Sequence, residues 1–105
     1  MSIKHDRMRQ TLKETAAQFL AKEAGPQSLI TVTNAMLSDD GHRGTIFVSV
    51  YPETAEEAAL KFANRNRKEF GEFFEKRVRG MRIPHVEFVL DRGEKNRQRL
   101  DELSK

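Results

Sequence analysis

The 105-residue chain has no cysteine, which excludes disulfides and thiolate metal sites and suits a reducing cytoplasm. Histidine is scarce. His5, His42 and His85 never stand two, three or four residues from one another, so the ligand spacing of a metal centre is missing and no metal site is expected. Long apolar runs are missing too. The longest, "TIFVSVY" at 45–51, has the length of a strand and is far too short to span a bilayer. Lys4, Asp6, Arg7, Arg9, Lys13 and Glu14 interrupt the first twenty positions, so no signal-peptide core is expected. No GxGxxG loop, Walker-type loop or glycine-flanked nucleophile occurs. Ser38 and Ser49 have no base within sequence reach, and Asp39-Asp40 beside Gly41 reads as a turn former rather than an acid–base pair. No catalytic residue, cofactor or small-molecule substrate is expected, and the chain reads as a binding protein rather than an enzyme.

What is present is periodic. Hydrophobic residues make up 37% of the chain and charged residues 33%, which is polar for a globular domain, yet the apolar positions recur at regular steps. The length fits one domain with one modest core. Met8, Leu12, Ala16, Phe19 and Leu20 recur at three- and four-residue steps and predict an amphipathic helix over 4–23, stopped by Gly25-Pro26. Ile30, Thr31, Val32 and Thr33 favour a strand over 29–37. Asp40-Gly41 supplies a tight reversal, and a second strand over 45–51 completes an antiparallel hairpin. Alternation directs Ile46, Val48 and Val50 to a helix-covered face and Thr45, Phe47, Ser49 and Tyr51 to a more open one.

Thr54 with Glu57 fits a capping box at the start of the next helix. Its apolar stripe (Ala58, Ala59, Phe62, Ala63) lapses over "NRNRK" at 64–68 and resumes with Phe70, Phe73, Phe74, Val78 and Met81. A lapse of that length predicts a kink between two helical halves. Pro84 leads into a last strand, "HVEFVLD". Only Leu100 and Leu103 are apolar among residues 92–105, which read as a charged tail or short terminal helix. The order helix, strand, strand, helix-kink-helix, strand predicts an α+β two-layer sandwich, a three-stranded sheet with its helices on one face.

Charge is distributed unevenly. Net charge is +3, but residues 1–60 carry 6 basic and 8 acidic side chains, and residues 83–105 carry 5 of each. Residues 61–82 carry 8 basic and 3 acidic side chains, so the whole positive excess lies in one short stretch. Such clustering is the electrostatic footprint of a polyanionic partner. Lys61, Arg65, Lys68 and Glu72 share one helix face at steps of three and four, with Asn64 beside them and Arg67 and Asn66 at the proposed kink. Arg77, Arg79 and Arg82 form a second cluster. A solvated outer face with pairs such as Glu75–Arg79 accounts for the acidic residues, but it accounts poorly for the acid-free "NRNRK". A kink there frees backbone amides beside arginines that can grip a phosphate through two hydrogen bonds. The candidate phosphate-binding residues, for a polyanion such as a nucleic acid, are therefore Lys61, Arg65, Arg67, Lys68, Arg77, Arg79 and Arg82.

Two stretches resemble a known family, ribosome-binding factor A. "LITVTNAMLSDDGHRGTIFVSV" is similar to its Thr-rich first strand, its Ser-x-Asp turn (Ser38, Asp40) and the small residue (Gly44) before a Val-rich second strand. "MRIPHVEFVLD" is similar to its Arg-x-Pro-x-hydrophobic-x-Phe-x-x-Asp ending, carried by Arg82, Pro84, Val86, Phe88 and Asp91. The resemblance runs from about Arg7 to Asp91. It implies a fold like the type II KH domain with a helix-kink-helix in place of the GxxG loop, and a KH-like RNA-binding domain over 1–91 followed by the tail 92–105. It further implies a cytoplasmic, non-enzymatic factor. Such a factor binds the small (30S) ribosomal subunit and its 16S rRNA, assists late maturation and rRNA processing, and supports growth in the cold. It is expected to be a monomer with no membrane partner. The family interrupts its helix at an Ala-x-Gly element; this chain has Asn66-Arg67-Lys68 there, with Gly71 displaced.

Two other functions compete. One is a KH-like protein-interaction module that uses the open sheet face (Phe47, Tyr51) or the hairpin edge. The other is a small hydrolase, which would need Ser38 or His42 as a working group.

Overall fold

The computed structural model describes residues 3–23 and 29–93. Helix α1 (Ile3–Glu23) is followed by strands β1 (Leu29–Leu37) and β2 (Arg43–Tyr51), helices α2 (Glu56–Arg65) and α3 (Arg67–Arg77), and strand β3 (His85–Leu90). The three strands form one sheet in the order β1-β2-β3. β1 and β2 are antiparallel, while β2 and β3 are parallel, so the α2–α3 segment is the crossover between the latter two. This is the α+β, KH-like architecture that the element order predicts. The Gly25-Pro26 stop and the tail beyond Gly93 lie outside the described residues.

The hairpin turn holds itself closed. Ser38 N–H donates to the Arg43 carbonyl at 2.9 Å, and Gly41, at φ +74°, bends the chain where a side chain would be strained. The Ser38 hydroxyl and the His42 amide both donate to Asp40 Oδ1, at 2.6 and 2.9 Å, which confirms Asp40 as a turn former. The Ser38 hydroxyl bond, then that amide, hold the Asp40 carboxyl below the ordinary carboxylate range. A ring nitrogen of His5 lies 3.0 Å from the Ser38 carbonyl and ties the turn to α1.

The core lies between the sheet and the helices. Leu12, Ala16, Phe19 and Leu20 of α1 meet Ile46, Val48 and Val50 of β2, Ala59 and Ala63 of α2, Phe70 and Phe74 of α3, and Val86 and Phe88 of β3. Phe70 is the hub: its ring centroid lies 5.5 Å from Phe19, 6.2 Å from Phe74 and 5.8 Å from Phe88. Tilted aromatic contacts of this kind add about 0.5–1.5 kcal/mol each beyond their buried area. Gly44 lets α1 approach β2 closely, since a Cβ there would stand 3.0 Å from Leu12 Cδ2. The small residue before the second strand is thus a packing requirement.

Two local expectations fail. Phe47 is not on an open face: it is 0% exposed, because it sits at mid-length in the central strand, flanked by Asn34 of β1 and Val89 of β3. Ser49 and Tyr51 on that face are exposed as expected, and its exposed large apolar residues are the cross-strand pair Leu29 and Tyr51, 65% and 75% exposed. The Thr54–Glu57 capping box does not form either. The chain leaves β2 through Pro52 into a single 3-10 turn, Glu53–Ala55, closed by Ala55 N–H on the Pro52 carbonyl at 2.9 Å. Ala55, without a side-chain cap, therefore precedes α2, and Thr54 lies inside the turn instead of at the helix boundary.

The back of the sheet is fastened from edge to edge. A β-bulge places Thr33 as an extra residue between Val32 and Asn34. Its hydroxyl lies 3.2 Å from the Phe47 carbonyl and donates to the Asp91 carboxylate, just past β3. Asp91 N–H in turn donates to the Val48 carbonyl at 2.7 Å. Asp91 therefore ends the strand and also links both outer strands across β2.

Candidate nucleic-acid interface

The kink expected over 64–68 is present and is one residue wide. Asn66 has φ −99° and ψ 20°, between the last residue of α2 and the first of α3. Its amide is shared between the carbonyls of Phe62 and Ala63, at 3.1 and 3.2 Å. Its side-chain amide also donates to the Phe62 carbonyl, at 2.7 Å. Asparagine competes with the backbone for helical hydrogen bonds, and here that competition ends one helix and starts the next. Gly71 takes no part in the break. It lies inside α3, so the chain keeps the interruption with asparagine chemistry at a different residue.

Asn64, two residues earlier, fixes where the break sits. Its carboxamide donates to the Phe88 carbonyl at 3.0 Å and accepts the Phe88 amide at 2.9 Å. Those two groups face away from β2, so the side chain substitutes for a neighbouring strand. Arg67 Nε then donates to the Asn64 carbonyl at 3.0 Å.

All seven candidate residues are exposed, but they do not form one patch. Lys61 and Arg65 of α2 and Arg67 of α3 come together around an open groove of about 510 Å³, whose other lining residues are Glu57, Leu60 and Asn64. Lys61 pairs with Glu57 at 3.1 Å on adjacent turns, a solvent-exposed contact of small energy. Among the described residues, Arg65 has no ion pair. Lys68, the second residue of α3, does not line the groove. The single face expected for Lys61, Arg65, Lys68 and Glu72 is not formed, because the break at Asn66 puts the last two on another helix. Glu69, in the first turn of α3, places a carboxylate near the freed amides.

Arg77 lies at the far end of α3, about 15 Å from Arg67 at 1.5 Å per residue. It is committed to packing: Nη1 donates to Gln18 Oε1 of α1 at 2.9 Å, and the guanidinium lies 4.4 Å from the Phe73 ring centroid. Arg79 and Arg82 stand on the loop between α3 and β3, which turns at Gly80 with φ +82°. α3 ends at Arg77, and Val78 is already extended, so Glu75 and Arg79 do not form a helical pair among the described residues.

Sequence reasoning placed Asn64 beside the cationic face without giving it a role, and read Glu57 only as a helix cap. Asn64 was legible only as part of a polar lapse in a stripe. The available signal was its place four residues after Leu60, one helical turn on along the same face. The described residues contain no group of acids and histidines able to hold a metal, and none of their helices is long and apolar enough to cross a membrane.

A family model described as ribosome-binding factor A matches residues 4–104. The chain belongs to the ribosome-binding factor A family. Solved structures agree. The crystal structure of ribosome-binding factor A from Thermus thermophilus is 29% identical, with a TM-score of 0.73 over 85% of this chain and 98% of that one. A Thermus thermophilus ribosome binding factor A homology model, fitted into the cryo-EM map of a 30S complex, is 31% identical; its TM-score is 0.69 over 79% of this chain and 90% of that one. A Thermotoga maritima solution structure at 19% identity has a TM-score of 0.71 over 90% and 93% of the two chains, and speaks for the fold alone. No curated protein matches the chain significantly.

Proposed function

We propose that this protein binds the rRNA of the small (30S) ribosomal subunit and assists its late maturation, including 16S rRNA processing, without catalysis of its own. The observation that carries this reading is the groove at the helix break, where Lys61, Arg65 and Arg67 converge on exposed surface. Cations around a helix junction suit backbone contacts to structured RNA, whose deep major groove side chains cannot read. Family membership supplies the partner: the Thermus relative was fitted into a 30S complex. Lys68, Arg79 and Arg82 extend the contact beyond the groove, and Arg77 contributes charge from its packed position. Residues 1–91 form the binding domain, with 92–105 as an appended tail, in a monomer that works in the cytoplasm.

Tyr51 and Leu29 support a second reading, a protein-interaction module using that exposed pair or the outer edge of β1. Phe47 is removed from it by burial. Co-sedimentation with purified small subunits, precursor and mature, separates the readings. RNA binding through several phosphates weakens by orders of magnitude between roughly 50 and 200 mM salt, whereas a sheet-edge contact does not. Weak salt dependence, or equal binding to unrelated RNA, would overturn the first reading.

A further inference from the structure

We infer that Asn64 is the positioning residue of the groove: by clamping the end of α2 to β3, it sets the place and direction from which Arg65 and Arg67 meet the RNA backbone. This rests on the function proposed above and adds the device that orders its cations. The clamp has two ends in one residue. The carboxamide engages both backbone groups of Phe88 on the outer side of β3, at 2.9 and 3.0 Å, and also reaches the Leu60 carbonyl at 3.2 Å. The main-chain carbonyl of the same residue receives Arg67 Nε at 3.0 Å, across the break.

The consequence is geometric. Phe88 is buried and packs its ring on Phe70, so β3 is a fixed reference in the core. Asn64 transmits that reference to the groove wall. With one guanidinium nitrogen of Arg67 occupied by the Asn64 carbonyl, the side chain is held in place. Its remaining nitrogens stay available for bidentate contact with a phosphate. Arg65 follows Asn64 directly and takes its direction from the same turn. A long cation held in this way loses less freedom on binding than one swinging in solvent. The clamp also closes the β3 edge at Phe88 to an incoming strand.

The test uses the full chain and purified bacterial small subunits, in a binding titration at several salt concentrations well below the melting temperature. The wild-type Phe88 amide should exchange slowly with solvent although it faces the sheet edge. Asn64→Ala keeps the main-chain carbonyl but frees the turn that carries it, so binding should be about tenfold weaker, the scale of one lost Arg67–phosphate hydrogen bond, and the salt slope should fall by roughly one contact. The double variant Asn64→Ala/Arg67→Gln should be little worse than either single variant, because both disable the same contact. A merely structural role would lower the melting temperature and leave the folded protein's affinity and salt slope unchanged, and that result would overturn the inference. Should the alanine variant not fold, Asn64→Ser carries the same titration; fast exchange at the wild-type Phe88 amide contradicts the clamp with no variant at all. If wild-type protein shows no salt-sensitive binding, the proposed function fails and this inference with it. If wild-type binds and only the Asn64 results fail, the function stands and the clamp is rejected.

Discussion

Replacing Gly71 with alanine separates a glycine that makes the helix break from one that merely lies near it. Gly71 is an interior residue of α3, five positions after Asn66, and its φ is not positive. A Cβ built there meets only Ile83 Cδ1, at 4.0 Å, an ordinary contact. Nothing in the site opposes the methyl group, so the intrinsic preference of alanine over glycine in a helix interior, about 1 kcal/mol, is realised in full. In a domain of this size that corresponds to a rise in melting temperature of about 4–8 °C. Thermal unfolding followed by circular dichroism measures it, and subunit co-sedimentation runs in parallel. The expected outcome is a more stable protein with unchanged binding, since Asn66 makes the break and Asn64 anchors it. Loss of binding by a stabilised Gly71→Ala protein would refute this reasoning, because the displaced glycine would then be part of the working kink. A fall in melting temperature would show that α3 does not run as a regular helix through residue 71.

Other outcomes follow from the same geometry. Glu57→Gln removes the one carboxylate lining the groove and releases Lys61 from its 3.1 Å pair, so subunit affinity should rise by about twofold at low salt, with stability changed by no more than about 0.5 kcal/mol. The Asp40 carboxyl is held below its ordinary value of 3.8, so its contribution to stability is present above that pH and is lost as pH falls through the depressed folded value. Melting curves of wild type and Asp40→Asn should therefore differ at pH 7 and converge at strongly acidic pH; a difference that persists there contradicts the assignment.

Much of the architecture is written in local pattern. Period-2 alternation over 45–51 sorts Ile46, Val48 and Val50 onto the core face, and Asp40-Gly41 marks the hairpin. The lapse in the apolar stripe marks the break to within two residues of Asn66. What local pattern misses is set by partners distant in the chain. Phe47 is buried because β1 and β3 flank it on both sides, and strand order is not a property of any one segment. Asn64 reads as solvated until β3, 24 residues later, offers its edge. The capping box fails because the exit from β2 uses a 3-10 turn that shifts the helix start by a residue or two. In the candidate site, charge clustering marks a set of exposed cations, and the break divides them. Lys61, Arg65 and Arg67 share a groove, Lys68 is not among its lining residues, and Arg77 packs on Phe73.

The central claim is that cations at the break carry the RNA contact, and charge reversal of Arg65, Arg67 and Lys68 to glutamate tests it most directly. All three are exposed, so the fold should survive, as circular dichroism and thermal unfolding will report. A folded triple variant should no longer co-sediment with small subunits at about 100 mM salt, and its residual binding should have a salt slope shallower by about two to three contacts. A folded variant that co-sediments as wild type does, with the wild-type slope, would contradict that claim.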